Sequence, residues 1–164
     1  MVKEIPLGDS GKVALVDDED HERVAALNWY PHEASNGRLW YAVTWIRVQQ
    51  TPRKYKRLSM HRFLFNEPAS EIDHVNHDGL DNRRANLRFA SRSDNMANTR
   101  IRKGRRYKGA YRQGNRWAAI CTKNYESFYL GMFATEEEAA RAYDAKAREL
   151  FGEFAYLNFP EVAA

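Results

Sequence analysis

The stretch EIDHVNHDGLDNRRANLRFASRSDNMAN, residues 71–98, decides the fold of the first part of the chain. Residues 72–75 and residues 87–90 are short runs that predict two strands. The residues between them are rich in Asp, Asn and Gly, which favour turns. The stretch therefore predicts a strand, a turn-rich loop and a second strand, followed by the start of a helix.

Two features support this prediction. The dipeptides Asp-Gly at 78–79 and Asp-Asn at 81–82 favour turns, because their side chains bond to nearby backbone and glycine accepts unusual φ values. Ser91 stands where a helix would begin, and Asp94 follows three residues later. This arrangement approximates a capping box, with Asp in place of the usual Glu or Gln.

Four polar residues occupy distinct places in this pattern. Asp73 and His74 lie on the first predicted strand, Asn86 precedes the second strand, and Asn95 lies on the predicted helix. The arrangement resembles the HNH endonucleases, whose ββα-metal motif has a His after an Asp, an Asn before the second strand and a His or Asn on the helix. His74, Asn86 and Asn95 are twelve and then nine residues apart, in agreement with that motif.

The residue types suit phosphodiester hydrolysis. His74 is a candidate general base, because imidazole titrates near neutral pH. Asp73 and Asn95 are candidate metal ligands, and their oxygen atoms favour a hard cation such as magnesium or manganese. The resemblance implies that Asn86 bonds across the loop and orients the histidine. His77 is either a turn residue or a phosphate contact, and His61 is either structural or an outlying member of the site.

The residues before this stretch predict a small α/β region. Residues 3–7 and 12–16 read as a hairpin, and Asp17 or Asp18 can cap a helix with an acidic first turn. Further strands are predicted at 29–30, 39–48 and 56–60, with a turn at 35–37 between the first two. The aromatic residues here read as core rather than as DNA-stacking groups: Trp29, Trp40, Tyr41 and Trp45.

Length and composition indicate a globular protein of 164 residues with one domain or two small ones. The single cysteine, Cys121, excludes an internal disulfide and a zinc site built from cysteines. No apolar run is long enough to span a membrane, and the first residues lack the pattern of a signal peptide. We therefore expect a cytoplasmic protein without a membrane partner.

The net charge is only +4, but its distribution is uneven. No Asp or Glu occurs from residue 47 to residue 62, or from residue 98 to residue 125. Solvated basic faces are common, yet two such segments flanking a nuclease-like motif predict phosphate contacts. The candidate DNA-binding residues all lie in the second of these segments, residues 98–125. They are Arg100, Arg102, Lys103, Arg105, Arg106, Lys108, Tyr111, Arg112, Arg116, Trp117 and Lys123.

The last third of the chain carries a second pattern. Its separated motifs are Tyr107-x-Gly109, WAA at 117–119, LGxF at 130–133, EEAARAYD at 137–144 and LNFP at 157–160. These motifs resemble the plant ethylene-response-factor (APETALA-type) DNA-binding domain over nearly all of residues 107–160. The resemblance implies a three-stranded sheet that reads DNA in the major groove. A basic linker at 99–106 would separate this domain from residues 1–98, whose nuclease core spans about 58–98.

The same segment predicts its own fold. Strands at about 107–112, 116–123 and 126–133 precede a helix with Thr135 as its cap and Glu138 as its box partner. The alanine-rich stripe of the helix packs on one sheet face, and Gly152 fits its C-terminal end. The opposite sheet face is expected to carry Lys108, Arg112 and Arg116, together with Tyr111, Trp117 and Lys123. The chain departs from the plant pattern at Tyr111 and Ile120, so the plant target sequence does not transfer.

The predicted class is α+β: an N-terminal α/β lead-in and a ββα-metal core, then a three-stranded antiparallel sheet on one helix. The predicted function is a site-directed, metal-dependent DNA endonuclease of the HNH homing type, encoded by a phage or mobile element and acting in a bacterial host. We expect double-stranded DNA as partner, no small-molecule substrate, and a monomer that nicks one strand. The alternative is a DNA-binding regulator with an inactive nuclease core.

Overall fold

A computed structural model describes residues 1–34, 39–101 and 104–160. The chain divides into two compact units, Met1–Ala90 and Ser91–Ala164. Helices and strands alternate along the chain, and every sheet is antiparallel. The α+β prediction is therefore confirmed. The predicted turn at 35–37 and the candidate residues Arg102 and Lys103 lie outside the described ranges.

The first unit begins with a hairpin and a helix. Strands β1 (Val2–Pro6) and β2 (Val13–Asp17) pair as predicted, and helix α1 (Asp18–Ala25) follows. Asp17 stands at the N-cap of α1, but its side chain makes no capping bond. Its Oδ2 instead accepts a hydrogen bond from the backbone N–H of Arg84 at 2.7 Å. The predicted cap thus connects the helix to a distant loop.

A three-stranded sheet comes next, formed by β3 (Tyr30–Glu33), β4 (Trp40–Gln49) and β5 (Lys54–Ser59) in that order. A short helix, α2 (Met60–Leu64), follows directly where the sequence predicted the end of a strand. Buried side chains from these elements form one core with the first hairpin and α1, and its largest member is Trp29. The Trp29 indole donates to the Val24 carbonyl at 2.8 Å.

Strands β6 (Glu71–His74) and β7 (Leu87–Ala90) form a separate two-stranded hairpin. Both were predicted, and a single 3₁₀ turn at Arg84–Asn86 leads into β7. A two-stranded hairpin of this length is only marginally stable alone. Two backbone hydrogen bonds hold its loop to β2. The Leu15 N–H donates to the Leu80 carbonyl, and the Asn82 N–H donates to the Leu15 carbonyl, both at 2.8 Å.

The second unit opens with helix α3 (Arg92–Ala97), whose capping box at Ser91 and Asp94 is confirmed. Ala97 belongs to the same buried cluster as Cys121 and Phe151. The helix therefore packs within the second compact unit, whereas the sequence placed the domain division after residue 98. That predicted division and the linker at 99–106 stay predictions.

The rest of the second unit is a sheet of β8 (Ala110–Gln113), β9 (Arg116–Lys123) and β10 (Glu126–Phe133), in the order β10-β9-β8. Helix α4 (Glu136–Phe151) begins with the predicted box of Thr135 and Glu138. Its alanine stripe is fully buried against the sheet, as expected. Gly152 follows the last helical residue with φ +53°, a value that favours glycine.

The LNFP segment closes this unit. Asn158 accepts a hydrogen bond from the Lys108 N–H at 2.7 Å and donates to the Lys108 carbonyl at 3.0 Å. The buried Asp144 on α4 accepts from the backbone N–H groups of Asn158 and Phe159 at 2.9 and 2.8 Å. These bonds tie the end of the domain to the start of its sheet.

None of the helices in the described ranges combines the length and the apolar character that crossing a bilayer requires.

Candidate active site and nucleic-acid interface

Asp73 and His74 lie side by side on β6 and are both buried, with relative exposures of 5% and 7%. Arg88 stands directly opposite Asp73 on β7. Its guanidinium donates two hydrogen bonds to the Asp73 Oδ2, at 3.0 and 2.8 Å. A buried carboxylate needs such a partner to remain charged. The pairing between strands therefore holds a negative charge next to the histidine.

Two rings lie next to the His74 ring. The His61 ring, on α2, lies 5.0 Å from the His74 ring, centroid to centroid, in an edge-to-face arrangement. The Tyr41 ring, on β4, is 5.8 Å from each histidine. His61 was interpreted as either structural or an outlying member of the site, and Tyr41 only as core. Their spacing in the sequence gives no signal of this cluster, because it forms through the packing of three separate elements.

Burial sets the protonation of both histidines. It lowers the pKa of His74, against the opposing effects of a hydrogen bond with Asn82 and of nearby carboxylates such as Asp73. Burial, reinforced by the charge of His74 and Arg62, lowers the pKa of His61 to about 3. Burial also raises the pKa of Tyr41. At neutral pH the two imidazoles are therefore uncharged, and a neutral imidazole can accept a proton.

Asn86 fixes the backbone that follows His74. Its Oδ1 accepts from the Asn76 N–H at 2.9 Å, and its Nδ2 donates to the Asp81 carbonyl at 2.7 Å. Its own backbone carbonyl accepts from the Val75 N–H at 2.9 Å. One residue thus closes the loop at three points. These bonds support the predicted role of Asn86 in orienting the histidine, which stays a prediction.

Asp81 organises the rest of the loop. Arg83 donates to its two carboxylate oxygens at 2.7 and 2.6 Å, and the Asn76 amide donates at 2.8 Å. The Arg83 hydrogen bond is the main reason why the pKa of Asp81 is lowered. Gly79 packs so closely that an added Cβ would lie 2.4 Å from the Trp40 carbonyl. Turn-forming roles predicted for this loop are confirmed, including the Asp78 carboxylate accepting from the Leu80 N–H.

The donor set suits a hard divalent cation. Asp73 supplies carboxylate oxygen, although its Oδ2 also bonds to Arg88. Among the described residues, no group of three His, Cys, Asp or Glu side chains is arranged to hold a metal. The predicted ligands are one carboxylate and one amide, which is a different kind of donor set. Asn95 lies on α3, and its role as a ligand stays a prediction.

His77 adopts a left-handed conformation, with φ +61°, and its N–H donates to the His74 carbonyl at 3.0 Å. It is therefore a turn residue, as one of the two interpretations proposed. A phosphate contact by its side chain stays a prediction.

The sheet of the second unit presents two different faces. Ala119 and Cys121 of β9 pack with residues of α4, so alternate residues of β9 face the helix. Trp117 is on this side and packs against the alanine cluster. The register pairs Arg112 with Trp117, which places Arg112 on the same side.

The prediction that Arg112, Trp117 and Lys123 lie on the sheet face opposite α4 is therefore wrong. Consecutive residues of a strand point to opposite faces, so Arg116 and Trp117 cannot share one. The face opposite α4 carries Arg116 and Tyr111, as predicted. It also carries neutral side chains that sequence reasoning missed: Gln113, Ile120, Thr122, Ser127 and Tyr129.

Two of the candidate lysines bond to helix ends. The Lys108 ammonium donates to the carbonyls of Met96, Ala97 and Thr99, at the C-terminal end of α3. Burial lowers its pKa to about 8. The Lys123 ammonium donates to the Leu150 carbonyl near the end of α4. Cations at helix C-termini stabilise the helix, so both lysines have a structural explanation. Their predicted DNA contacts stay predictions.

The other cations that the structure describes in this segment have local partners. Arg105 lies over the Tyr111 ring at 4.6 Å, and Arg106 pairs with Glu137 at 3.2 Å. Arg112 donates to the Gly114 carbonyl at 3.2 Å, and Arg116 donates to the Met132 carbonyl at 3.0 Å. Arg100 also has an interaction partner. All these guanidinium groups keep their charge and remain candidates for phosphate contacts.

Comparison with known proteins gives two kinds of similarity. The family model described as HNH endonuclease matches residues 66–97, which contain the β6–β7 hairpin and the whole of α3. An uncharacterized HNH endonuclease of Acanthamoeba polyphaga mimivirus is 34% identical over 110 residues, which are 62% of this chain and 58% of that protein. The resemblance to HNH endonucleases over this part of the chain is confirmed.

Plant proteins form the second group. An AP2/ERF and B3 domain-containing protein of Oryza sativa subsp. japonica is 47% identical over 60 residues, which are 36% of this chain and 16% of that protein. A dehydration-responsive element-binding protein of the same plant is 58% identical over 36 residues, which are 22% of this chain and 11% of that protein. These similarities support the resemblance of the C-terminal segment to plant AP2/ERF proteins. The chain thus spans little more than half of the viral relative and a small part of the plant ones.

The buried histidines predict a dependence of stability on pH. The pKa of His61 is about 3 in the folded protein and 6.5 ordinarily, so below pH 6.5 the unfolded chain gains a proton that the folded chain excludes. For this one group, the free energy of unfolding should fall by about 1.4 kcal/mol per pH unit as the pH decreases from about 6 to 5. Urea unfolding at several pH values measures this slope.

Replacing His61 with Gln removes the titrating group and should make that slope shallower by the same amount. The matched control is Tyr41→Phe, which alters the same cluster but leaves both histidines in place, so its slope should equal that of the wild type. Equal slopes for His61→Gln and wild type would contradict the assignment of a neutral, partly buried His61.

Proposed function

From an HNH endonuclease match at residues 66–97 and a C-terminal segment similar to plant DNA-binding proteins, we propose that this protein is a metal-dependent DNA endonuclease that cuts at selected sites. The observation that carries the proposal is the neutral, buried His74 beside the Arg88-paired carboxylate of Asp73. A base and an anionic ligand next to each other are the two groups that hydrolysis of a phosphodiester requires.

In the proposed reaction, His74 takes a proton from a water molecule. The water oxygen then forms a bond to phosphorus, and the bond from phosphorus to the leaving oxygen breaks. Because burial lowers the pKa of His74, the imidazole is already unprotonated at neutral pH and ready to act as a base. Asn86 keeps the loop after His74 in place through its bonds to Asn76 and Asp81.

Asp73 and Asn95 would hold a divalent cation, which we propose to be magnesium or manganese because both donors are oxygen atoms. Such a cation polarises the phosphate and stabilises charge on the leaving oxygen. The chain's own contribution is to orient the ligands. Arg88 fixes the Asp73 carboxylate through two hydrogen bonds, so the carboxylate would be held ready for the cation.

The C-terminal domain would select the site. Its sheet face opposite α4 offers Tyr111, Arg116 and Tyr129 to a DNA groove, and the basic residues that precede it offer phosphate contacts. β-Sheets enter the major groove in several families of DNA-binding proteins. The neutral side chains on this face suit different bases from those that arginine prefers, so the target would differ from plant targets.

We further propose a homing-type enzyme encoded by a phage or mobile element and acting in the cytoplasm of a bacterial host. The HNH relative in a virus supports a mobile origin. A single His74 site with two unlike DNA-binding modules fits a monomer on an asymmetric duplex site, whereas a symmetric dimer would favour a palindrome.

The second candidate is a DNA-binding regulator whose nuclease core is inactive, and the similarity to plant AP2/ERF proteins favours it. It differs from the first candidate in one observable property, which is cleavage. The presence of Asp73, His74, Asn86 and Asn95 together argues for the enzyme.

The role of His74 can be tested with His74→Ala. Loss of a general base typically lowers a rate by about 10²–10⁴-fold, whereas DNA affinity should change little because the base acts on water. Cleavage of supercoiled plasmid in magnesium measures the rate, and binding of a short duplex measures affinity. Wild-type cleavage by His74→Ala would remove it from the mechanism, and no cleavage by either protein would favour the regulator.

The metal assignment can be tested with Asp73→Asn, which keeps the size of the side chain but removes its charge. We expect lower activity and a higher magnesium concentration for half-maximal rate, because a neutral ligand binds the cation less strongly. Asn95→Ala should have a milder effect of the same kind. Full wild-type activity in the presence of EDTA would contradict the assignment of a divalent metal. Unfolding curves show whether Asp73→Asn destabilises the fold by removing the ion pair with Arg88.

The number of strands cut can be tested by labelling each strand of a cleaved duplex separately. A monomer with one site should cut one strand at an asymmetric sequence. Analytical ultracentrifugation under the same conditions gives the mass of the protein in solution. Prompt and equal cleavage of both strands at a palindrome, together with a dimeric mass, would show that the monomeric nickase is wrong.

A further inference from the structure

Strands β4 and β5 of the first unit carry four side chains on one face, which we name the β4–β5 face: Trp45, Arg47, Tyr55 and Arg57. The register pairs Trp45 directly with Arg57 and Arg47 directly with Tyr55. Aromatic and cationic groups therefore alternate across the two strands. The Arg47 guanidinium lies over the Tyr55 ring at 5.9 Å.

This face is open to solvent, whereas the other face contributes to the core only where Ala42, Thr44 and Leu58 are buried. Trp45 is 57% exposed and Tyr55 is 49% exposed. The neighbouring residues Ala42 and Thr44, of opposite parity on β4, are buried. The interpretation of Trp45 as a core residue was therefore wrong, because the core side of β4 is occupied by the residues on either side of it. Large exposed aromatic residues beside cations are typical of binding surfaces.

The charge of the face is positive. No Asp or Glu occurs between Glu33 and Glu67 in the sequence. These two flanking carboxylates do not oppose the face: Glu33 pairs in register with Trp40, on the other side of the sheet, and Glu67 bonds to Lys56, also on the other side. Arg57 does bond to a neighbour, the His32 ring at 2.8 Å, but that partner carries no negative charge.

Strand β4 leads from this face to the candidate active site through Val43, which has the same parity and is buried. Tyr41 lies on β4 with the same parity as Trp45 and Arg47, and its ring is 5.8 Å from the His74 ring. Six residues of strand separate Tyr41 from Arg47, which corresponds to about 20 Å at the usual rise per residue. Since each DNA strand has a phosphate about every 3.4 Å along the axis, that length matches about six base pairs.

We propose that the β4–β5 face binds the duplex DNA that flanks the bond to be cut. Arg47 and Arg57 contact phosphates, and the flat rings of Trp45 and Tyr55 pack against sugars or the edges of bases. The proposal rests on the nuclease function for the position of the cut, but binding of DNA by this face does not require cleavage. It assigns the phosphate contacts predicted for residues 47–62 to Arg47 and Arg57 on this one face, and it adds the two exposed rings as DNA contacts.

The test of the charges uses Arg47→Gln/Arg57→Gln in the full chain, with a labelled short duplex of mixed sequence as the probe. Affinity is measured at several salt concentrations. Each lost phosphate contact should reduce the slope of log K against log salt by about 0.9, so the double variant should lose about 1.8. The matched control is Lys54→Gln/Lys56→Gln, which removes two charges from the opposite face of the same strand and should keep the wild-type slope.

The test of the rings uses Trp45→Ala and the conservative Trp45→Tyr. Because a stacked or packed ring contributes about 1–3 kcal/mol per contact, Trp45→Ala should weaken binding of the same duplex by about five- to 150-fold. Trp45→Tyr should restore most of that loss. Unfolding curves and oligomeric mass without DNA are measured for every variant.

The outcomes separate the possibilities. If the arginine variant and its control show equal slopes, or if Trp45→Ala binds as the wild type does, the face does not bind DNA. If Trp45→Ala converts a dimer to a monomer while leaving DNA affinity unchanged, the face is an interface between copies and the proposal is wrong. Weaker binding by these variants in a protein that never cleaves DNA would support the face and refute the nuclease.

Discussion

The hydrogen bonds of Asn86 hold the loop that follows His74. An amide has an acceptor and a donor at its two ends, and here the acceptor bonds to the Asn76 N–H while the donor bonds to the Asp81 carbonyl. A carboxylate would lack the donor and a lysine would lack the acceptor. Position 86 therefore requires an amide side chain of the length of asparagine.

The hairpin that carries the site would not hold this geometry by itself. It has four residue pairs, and its loop contacts the edge of β2 through two backbone hydrogen bonds at Leu15. Arg84 adds a second attachment, because its guanidinium bonds to both oxygens of Asp20 at 2.7 Å. The N-terminal hairpin and α1 thus act as the rigid support for a loop that is too polar to bury apolar surface of its own.

The sequence predicted local structure well because local structure depends on nearby residues. Both capping boxes, the β6–β7 hairpin and the alanine stripe of α4 are present where neighbouring residues indicated them. The cluster of Tyr41, His61 and His74 could not be found in this way. Its members come from β4, α2 and β6, and only packing in three dimensions brings them together. The same limit applies to Arg88, whose partnership with Asp73 depends on strand register.

The assignment of strand faces failed for a common reason in both units. Trp45 was placed in the core and Trp117 on the outer face, and the structure has the reverse. On β4, large apolar residues occupy both parities, so hydrophobicity alone cannot choose the buried face. The choice comes from the small residue Ala42, which packs in the core and thereby directs Tyr41 and Trp45 to the opposite side. One strand thus supports the core through the buried residues Ala42, Val43 and Thr44. Tyr41 at one end lies in the histidine cluster, and Trp45 and Arg47 at the other end are exposed.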